Sequence, residues 1–381
     1  MKFLISILLS VCLFAQVCYA EEMNESLILP LTTASDITMI TGLPLNAKLK
    51  SVLYSSSGEI YVGLKDEKGL SLYSWPFPLQ KEAPVLTSPL LSMNDVTCHD
   101  LEEYDGNRIA MLCTEHQNDV FWSSIYIVSK ETVEKVLSQT NQIFSLCSYN
   151  NDIAYAYLDE QDNAHVACMD SVGKLKWDVR LDSRIIFSHL IASNEGVFCA
   201  GYYNATYDSL YTAMVAQISP DGQLLWLHQT NQHVYISDAV VVQGNRLVII
   251  GDLNEYDYEG YYIGCFNAAG MVWEQTRPVP HSTTVTTCIH VNDDQITFAH
   301  RKLRERKAAT LVTMDYQGRI VDESKISFEG VNMPTVRIVA SHNNTQLFVV
   351  TGVNQAAEDT IHIIYGKGLW LKPEPGRVTS Y

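Results

Sequence analysis

After residue 20 the chain lacks any apolar run approaching eighteen residues, so nothing in it reads as a membrane-spanning helix. Basic residues are scarce: 26 Lys and Arg stand against 43 Asp and Glu, for a net charge of −17. That balance argues against nucleic acid, whose capture is driven by cationic contacts. Helical periodicity with caps is missing throughout. So are the G-x-S-x-G, H-E-x-x-H and Gly-rich phosphate-loop motifs. No C-x-x-C or zinc-ligand spacing occurs, and neither a metal nor a cofactor is expected. Beyond residue 20 the cysteines are Cys98, Cys113, Cys147, Cys168, Cys199, Cys265 and Cys288, an odd set lying within apolar strand-like runs. They read as buried thiols acting as small hydrophobes, with one or two disulfides open as the alternative in an oxidising compartment.

What is present is a repeat. VACMDSVGKLKW (166–177), VAQISPDGQLLW (215–226), IGCFNAAGMVW (263–273) and LVTMDYQGRIVD (311–322) are one phrase, with Gly173, Gly222, Gly270 and Gly318 spaced by 49, 48 and 48 residues. Each is an apolar strand, an Asp, Ser or Asn, a Gly turn and a second strand. A second series of turns precedes these, at positions 58, 106, 151, 195, 244, 293 and 343, each between two short β-rich runs. Together they predict seven units of four antiparallel strands. A flat sheet of that size would leave a long exposed edge, and radial closure removes it. The expected fold is therefore all-β, a single seven-bladed β-propeller over 50–381. Residues 1–20 read as a cleaved secretory signal peptide, with Lys2, an apolar stretch and Ala20 at the cleavage position. The segment 21–49 contains SDITMITGL (35–43), which is expected to pair with the last blade and close the ring.

The phrase (apolar strand)-Asp-x-x-Gly-x-(apolar)-x-Trp resembles the blade signature of the pyrroloquinoline-quinone-like, or tryptophan-docking, propeller repeats. The resemblance is clear over 164–322. It implies that Trp177, Trp226 and Trp273 pack against the neighbouring blade. The family holds both quinone dehydrogenases and non-enzymatic scaffolds. Seven repeats in place of eight, and the absence of an adjacent Cys-Cys pair, set this chain apart from the quinone-binding branch.

Aligning the first strands on their turns gives a candidate ligand-binding row at the channel mouth: Asp100, Ser145, His189, Asp238, Thr287 and Arg337, with Val52 as the apolar exception. The next residue is apolar in every unit, so strand alternation turns the row to the opposite side. The plain alternative is a solvated mouth with internal ion pairs. A second candidate is surface recognition by the loops YYNATYDSLY (202–211) and DLNEYDYEGYY (252–262), through Tyr202, Tyr203, Tyr207, Tyr256 and Tyr258. Tyrosine offers a large amphipathic surface at low entropic cost, suited to a protein or glycan partner. The favoured reading is a monomeric binding scaffold, secreted, periplasmic or on the cell surface. Its rival is an enzyme, either a degenerate quinoprotein or a carbohydrate-active hydrolase or lyase, using Asp100, His189 and Asp238.

Overall fold

The closing hairpins are built by the polar residue that opens each turn. Asp170 Oδ1 accepts the amides of Val172 at 3.0 Å and Lys174 at 2.8 Å. Asp315 does the same for Gln317 and Arg319, at 3.0 and 2.9 Å. Ser219 Oγ takes the amide of Gln223 at 2.9 Å. Gly173, Gly222 and Gly318 then sit at φ of 81°, 81° and 82°, a region that costs a side-chain-bearing residue energy.

The computed structural model describes residues 27–29, 38–39, 47–76, 89–203, 211–254, 259–278, 284–291, 295–302, 307–328, 331–342, 345–353 and 359–367, and among these there is no helix. Lys48–Tyr54, Glu59–Lys65, Gly69–Pro76 and Leu91–Asn94 pair in that order as a first antiparallel unit. Val96–Glu103, Ile109–Gln117, Val120–Val128 and Val133–Gln139 make the second. Ile143–Tyr149, Asp152–Leu158, Asn163–Met169 and Leu175–Ser183 make the third. The next two share a strand. Ile185–Ser193, Gly196–Tyr203 and Thr212–Ile218 lead to Leu224–Val242, which runs on to pair with Arg246–Asn254, followed by Glu259–Asn267 and Gly270–Pro278. A sixth unit is Thr284–Val291, Gln295–Lys302, Ala308–Asp315 and Ile320–Phe328, with Leu27–Leu29 parallel on its outer edge. The last is Asn332–His342, Thr345–Val353 and Asp359–Lys367, and Thr38–Met39 pairs antiparallel to its outer strand.

The first strand of each unit is innermost. These inner strands touch one another in chain order, and Asn332–His342 touches Lys48–Tyr54. The apolar cores lie between facing units. Leu70, Leu72 and Leu101 pack with Met111 between the first two, and Val166, Phe187, Leu190 and Met214 pack between the third and fourth. Val349 and Ile361 of the last unit join Ile60, Val62 and Tyr73 of the first. The fold is an all-β propeller.

The tryptophan ring covers the glycine of the next turn in two of three cases. The ring of Trp177 lies where a Cβ on Gly222 would sit, 2.7 Å away, and its Nε1 donates to Pro220 O at 3.1 Å. Trp273 stands in the same relation to Gly318 and donates to Tyr316 O at 3.1 Å. Trp226 is buried between its own unit and the next, in one cluster with Leu247, Tyr262 and Phe266, but it does not reach the next turn. It donates to Gln217 at 2.8 Å and packs edge-on against Phe198. The phrase of the following unit is one residue shorter, Asn267 pairs directly with Gly270, and nothing lies near Gly270. His228, two residues on, bonds Asn267 O at 3.2 Å instead.

Candidate functional site

Each of the first six inner strands carries a β-bulge at the same place. The extra residues are Lys50, His99, Phe144, Ser188, Ser237 and Thr287. A bulge tightens the local twist and re-aims the residue that follows. Those following residues are Ser51, Asp100, Ser145, His189, Asp238 and Cys288. Asp100, Ser145, His189 and Asp238 thus share one structural position. Thr287 does not: it is the bulged residue, and Cys288 holds the position in its unit. In the first unit Ser51 takes the place of Val52. Counting back from the turn slips there because the glycine marker sits at a different point within the hairpin. Arg337 lies in the inner strand Asn332–His342, whose irregularities fall between Asn332 and Thr335 and between Ile338 and Ala340. The side chains of Thr287 and Arg337 lie outside the described residues.

What this position does is visible from its hydrogen bonds. Asp238 Oδ1 takes the amide of Ala239 at 2.8 Å, and its Oδ2 takes that of Ile289, in the next inner strand, at 2.8 Å. Asp100 repeats the pattern with Leu101 at 3.0 Å and Leu146 at 3.5 Å. Ser145 donates to Phe187 O at 2.9 Å, and the Cys288 thiol to Val336 O at 3.5 Å. Ser51 meets the Cys98 sulfur at 3.2 Å, and His189 bonds the backbone of Ser237. Every one of these side chains therefore bridges to the following inner strand. Ser145 is 1 % exposed and has no surface to offer a ligand. Asp100, His189 and Asp238 remain half-buried.

The electrostatics of this ring are repulsive. Burial pushes the Asp100 carboxyl up to about 6, against the two amides that hold it down, and Asp238 pushes the same way. Glu102, missed in the sequence, sits two residues further along the same strand. Burial, then the charges of Asp100 and Asp238, raise its carboxyl well above the usual range. Burial lowers the His189 imidazole, with the Asp238 charge and the Ser237 backbone opposing. Three acids and one imidazole feel one another around the ring. Among the described residues no group of three or more His, Cys, Asp and Glu is placed to hold a metal ion.

On the face reached by the loops that follow each second strand, a tyrosine cluster bridges the fourth and fifth units. The rings of Tyr202 and Tyr211 are 4.9 Å apart, those of Tyr202 and Tyr235 5.4 Å, and those of Tyr211 and Tyr235 5.8 Å. Tyr235 is 45 % exposed, an open aromatic face in a strand. Tyr203 points the other way and packs against the core between the third and fourth units, as alternation requires. Tyr207, Tyr256 and Tyr258 lie outside the described residues. Elsewhere, a polar cleft of about 440 Å³ lies between the first two units, lined by Ser57, Glu59, Tyr61, Asn107, Ser129, Lys130 and Glu131. Lys130 and Tyr61 both bond Glu59 there.

Among the described residues no helix is long and apolar enough to cross a membrane. No protein-family model matches the sequence, and no curated protein does. Solved structures do. The β-propeller domain of the Trilobed protease from Pyrococcus furiosus, described as having an open velcro topology, is 11% identical, with a TM-score of 0.51 over 83% of this chain and 95% of its own. The Neurospora crassa Pan2 WD40 domain is 9% identical, with a TM-score of 0.51 over 88% and 97%. A prolyl endopeptidase is 13% identical, with a TM-score of 0.50 over 87% of this chain; the match spans 50% of the endopeptidase. Identities this low show the shared fold alone.

Proposed function

We propose that the chain is an exported, non-enzymatic, seven-bladed β-propeller that serves as a binding scaffold and docks a protein partner on the face carrying Tyr202, Tyr211 and Tyr235. One observation carries this reading. The polar groups of the inner ring are spent on bonds between blades, whereas the tyrosine cluster presents an open aromatic surface of the kind that anchors partners. The count of seven is supported by the cycle of contacts among inner strands. Docking of Trp177 and Trp273 onto the next turn supports kinship with the tryptophan-docking repeats, without a bound quinone. Export rests on the first twenty residues, which lie outside the described ones.

The test is capture from the extracellular milieu by immobilised wild type, Tyr235→Ala and Asp100→Asn. Tyr235→Ala should melt like wild type and lose the captured partner, while Asp100→Asn should keep it. Capture of the same partner by Tyr235→Ala defeats the reading, and capture of glycan alone moves it to a carbohydrate partner. A second reading, catalysis at the channel, draws on Asp100 being pushed up to about 6, within the range of a general acid near neutral pH. Hydrolase or lyase turnover lost in Asp100→Asn would favour it.

A further inference from the structure

The seven cysteines among the described residues are all buried thiols. In their ladders, Cys147 and Cys168 both face Ala154, Cys265 faces Val248 and Trp273, and Cys288 faces Ala299. Cys98 and Cys113 alone face each other, on neighbouring strands of the second unit. Both are 0 % exposed, and the Cys113 thiol is hydrogen-bonded to Cys98. Directly opposed residues of an antiparallel pair lie about 4.5–5.5 Å apart at Cα, inside the range of about 4.4–6.8 Å that a disulfide spans. The bulge at His99 begins at the next residue, so the strand is irregular where the bond would need to adjust.

We propose that Cys98 and Cys113 form a cross-strand disulfide when the chain folds in the presence of a disulfide oxidant. The oxidant is a small-molecule disulfide or a disulfide-carrying oxidoreductase. One cysteine, as thiolate, attacks it to give a mixed disulfide and one released thiol. The second cysteine attacks the mixed disulfide and releases the other thiol. Two cysteine S–H bonds are lost, one S–S bond forms between the strands, and the oxidant leaves as two thiols carrying both protons. Because neither sulfur is exposed in the fold, the exchange belongs to the folding chain, before the first two units close over it. The bond fastens the inner strand that carries Asp100 and Glu102, where like charges push outward. The chemistry is independent of the export reading, since an oxidant added in vitro serves equally.

The full chain, unfolded with reductant, is refolded in a glutathione disulfide and glutathione buffer, alkylated in denaturant and mapped by mass spectrometry without reduction. The expected result is a peptide linking Cys98 to Cys113, with Cys147, Cys168, Cys199, Cys265 and Cys288 alkylated. The oxidised protein should melt several degrees above the reduced one. That difference should vanish in Cys113→Ala and persist in Cys147→Ala. Alkylation of both Cys98 and Cys113, or linkage of either to another cysteine, overturns the proposal. Should Cys113→Ala not fold, the wild-type map still decides.

Discussion

Asp100 and Asp238 stand at the same position of the second and fifth inner strands and make the same two bonds, yet not equally well. Asp238 holds both amides at 2.8 Å. Asp100 holds its own at 3.0 Å and reaches the next strand only at 3.5 Å, at the limit of a hydrogen bond. Two residues on, the fifth inner strand has Val240 and the second has Glu102. A carboxylate latch works when it is alone. Placed beside a second carboxylate it spends part of its bonding on repulsion, and its bond to the next strand is the longer one.

Removing the better latch should show the largest effect. Asp238→Ala leaves two amides near the core without partners, and each such bond to a charged group is worth about 1.5–3 kcal/mol. Denaturant unfolding should register a loss of about 3 kcal/mol, and Asp100→Ala a smaller one because relief of repulsion offsets it. Equal losses would show that the two latches do not differ. Glu102→Gln should move the other way, stabilising by about 1–2 kcal/mol at pH 8 through removal of a buried like charge.

The sign of the pH dependence follows from the same groups. A carboxyl whose pKa is raised on folding binds its proton more tightly in the native state, so its favourable contribution is complete below the unfolded pKa and is lost as pH rises through the folded one. For Asp100 that window runs from about 4 to about 6. The stability difference between wild type and Asp100→Asn should fall across it, and the fall should be shallower when both carry Glu102→Gln. A parallel curve would place the repulsion elsewhere. The smallest effect is Ser145→Ala, which deletes one bond to Phe187 O and should cost about 1 kcal/mol at any pH.

The repeat and its turns were legible because they depend on local chemistry. In the closing phrase, an Asp or Ser three residues before the Gly makes the same hairpin, as Asp170, Ser219 and Asp315 show. The bulges were not legible, since an inserted residue leaves no trace in composition. The polar row held its register in four units and slipped by one at Val52 and Thr287, because the turn markers there stand at a different distance from the bulge. Glu102 was passed over because Cys147, Ile191 and Val240, its counterparts, are apolar. Tyr235 joins Tyr202 only through contact between units, which no local pattern encodes. That Trp226 does not reach the turn at Gly270 did have a signal, the single residue missing after Gly270, whose effect on packing requires the neighbouring unit to be seen.

The strand Leu224–Val242 closes one unit and opens the next without a break. Elsewhere around the ring, a short connection separates each outer strand from the following inner one, and such connections are where a repeat protein opens in pieces. Here there is no such seam. Loss of the fourth unit would drag the pairing partner of Arg246–Asn254 with it, so the two units should exchange their amide hydrogens as one cooperative block. The tyrosine cluster sits on that block, with Tyr202 and Tyr211 on one half and Tyr235 on the other. A partner gripping all three would therefore meet a surface with no hinge beneath it.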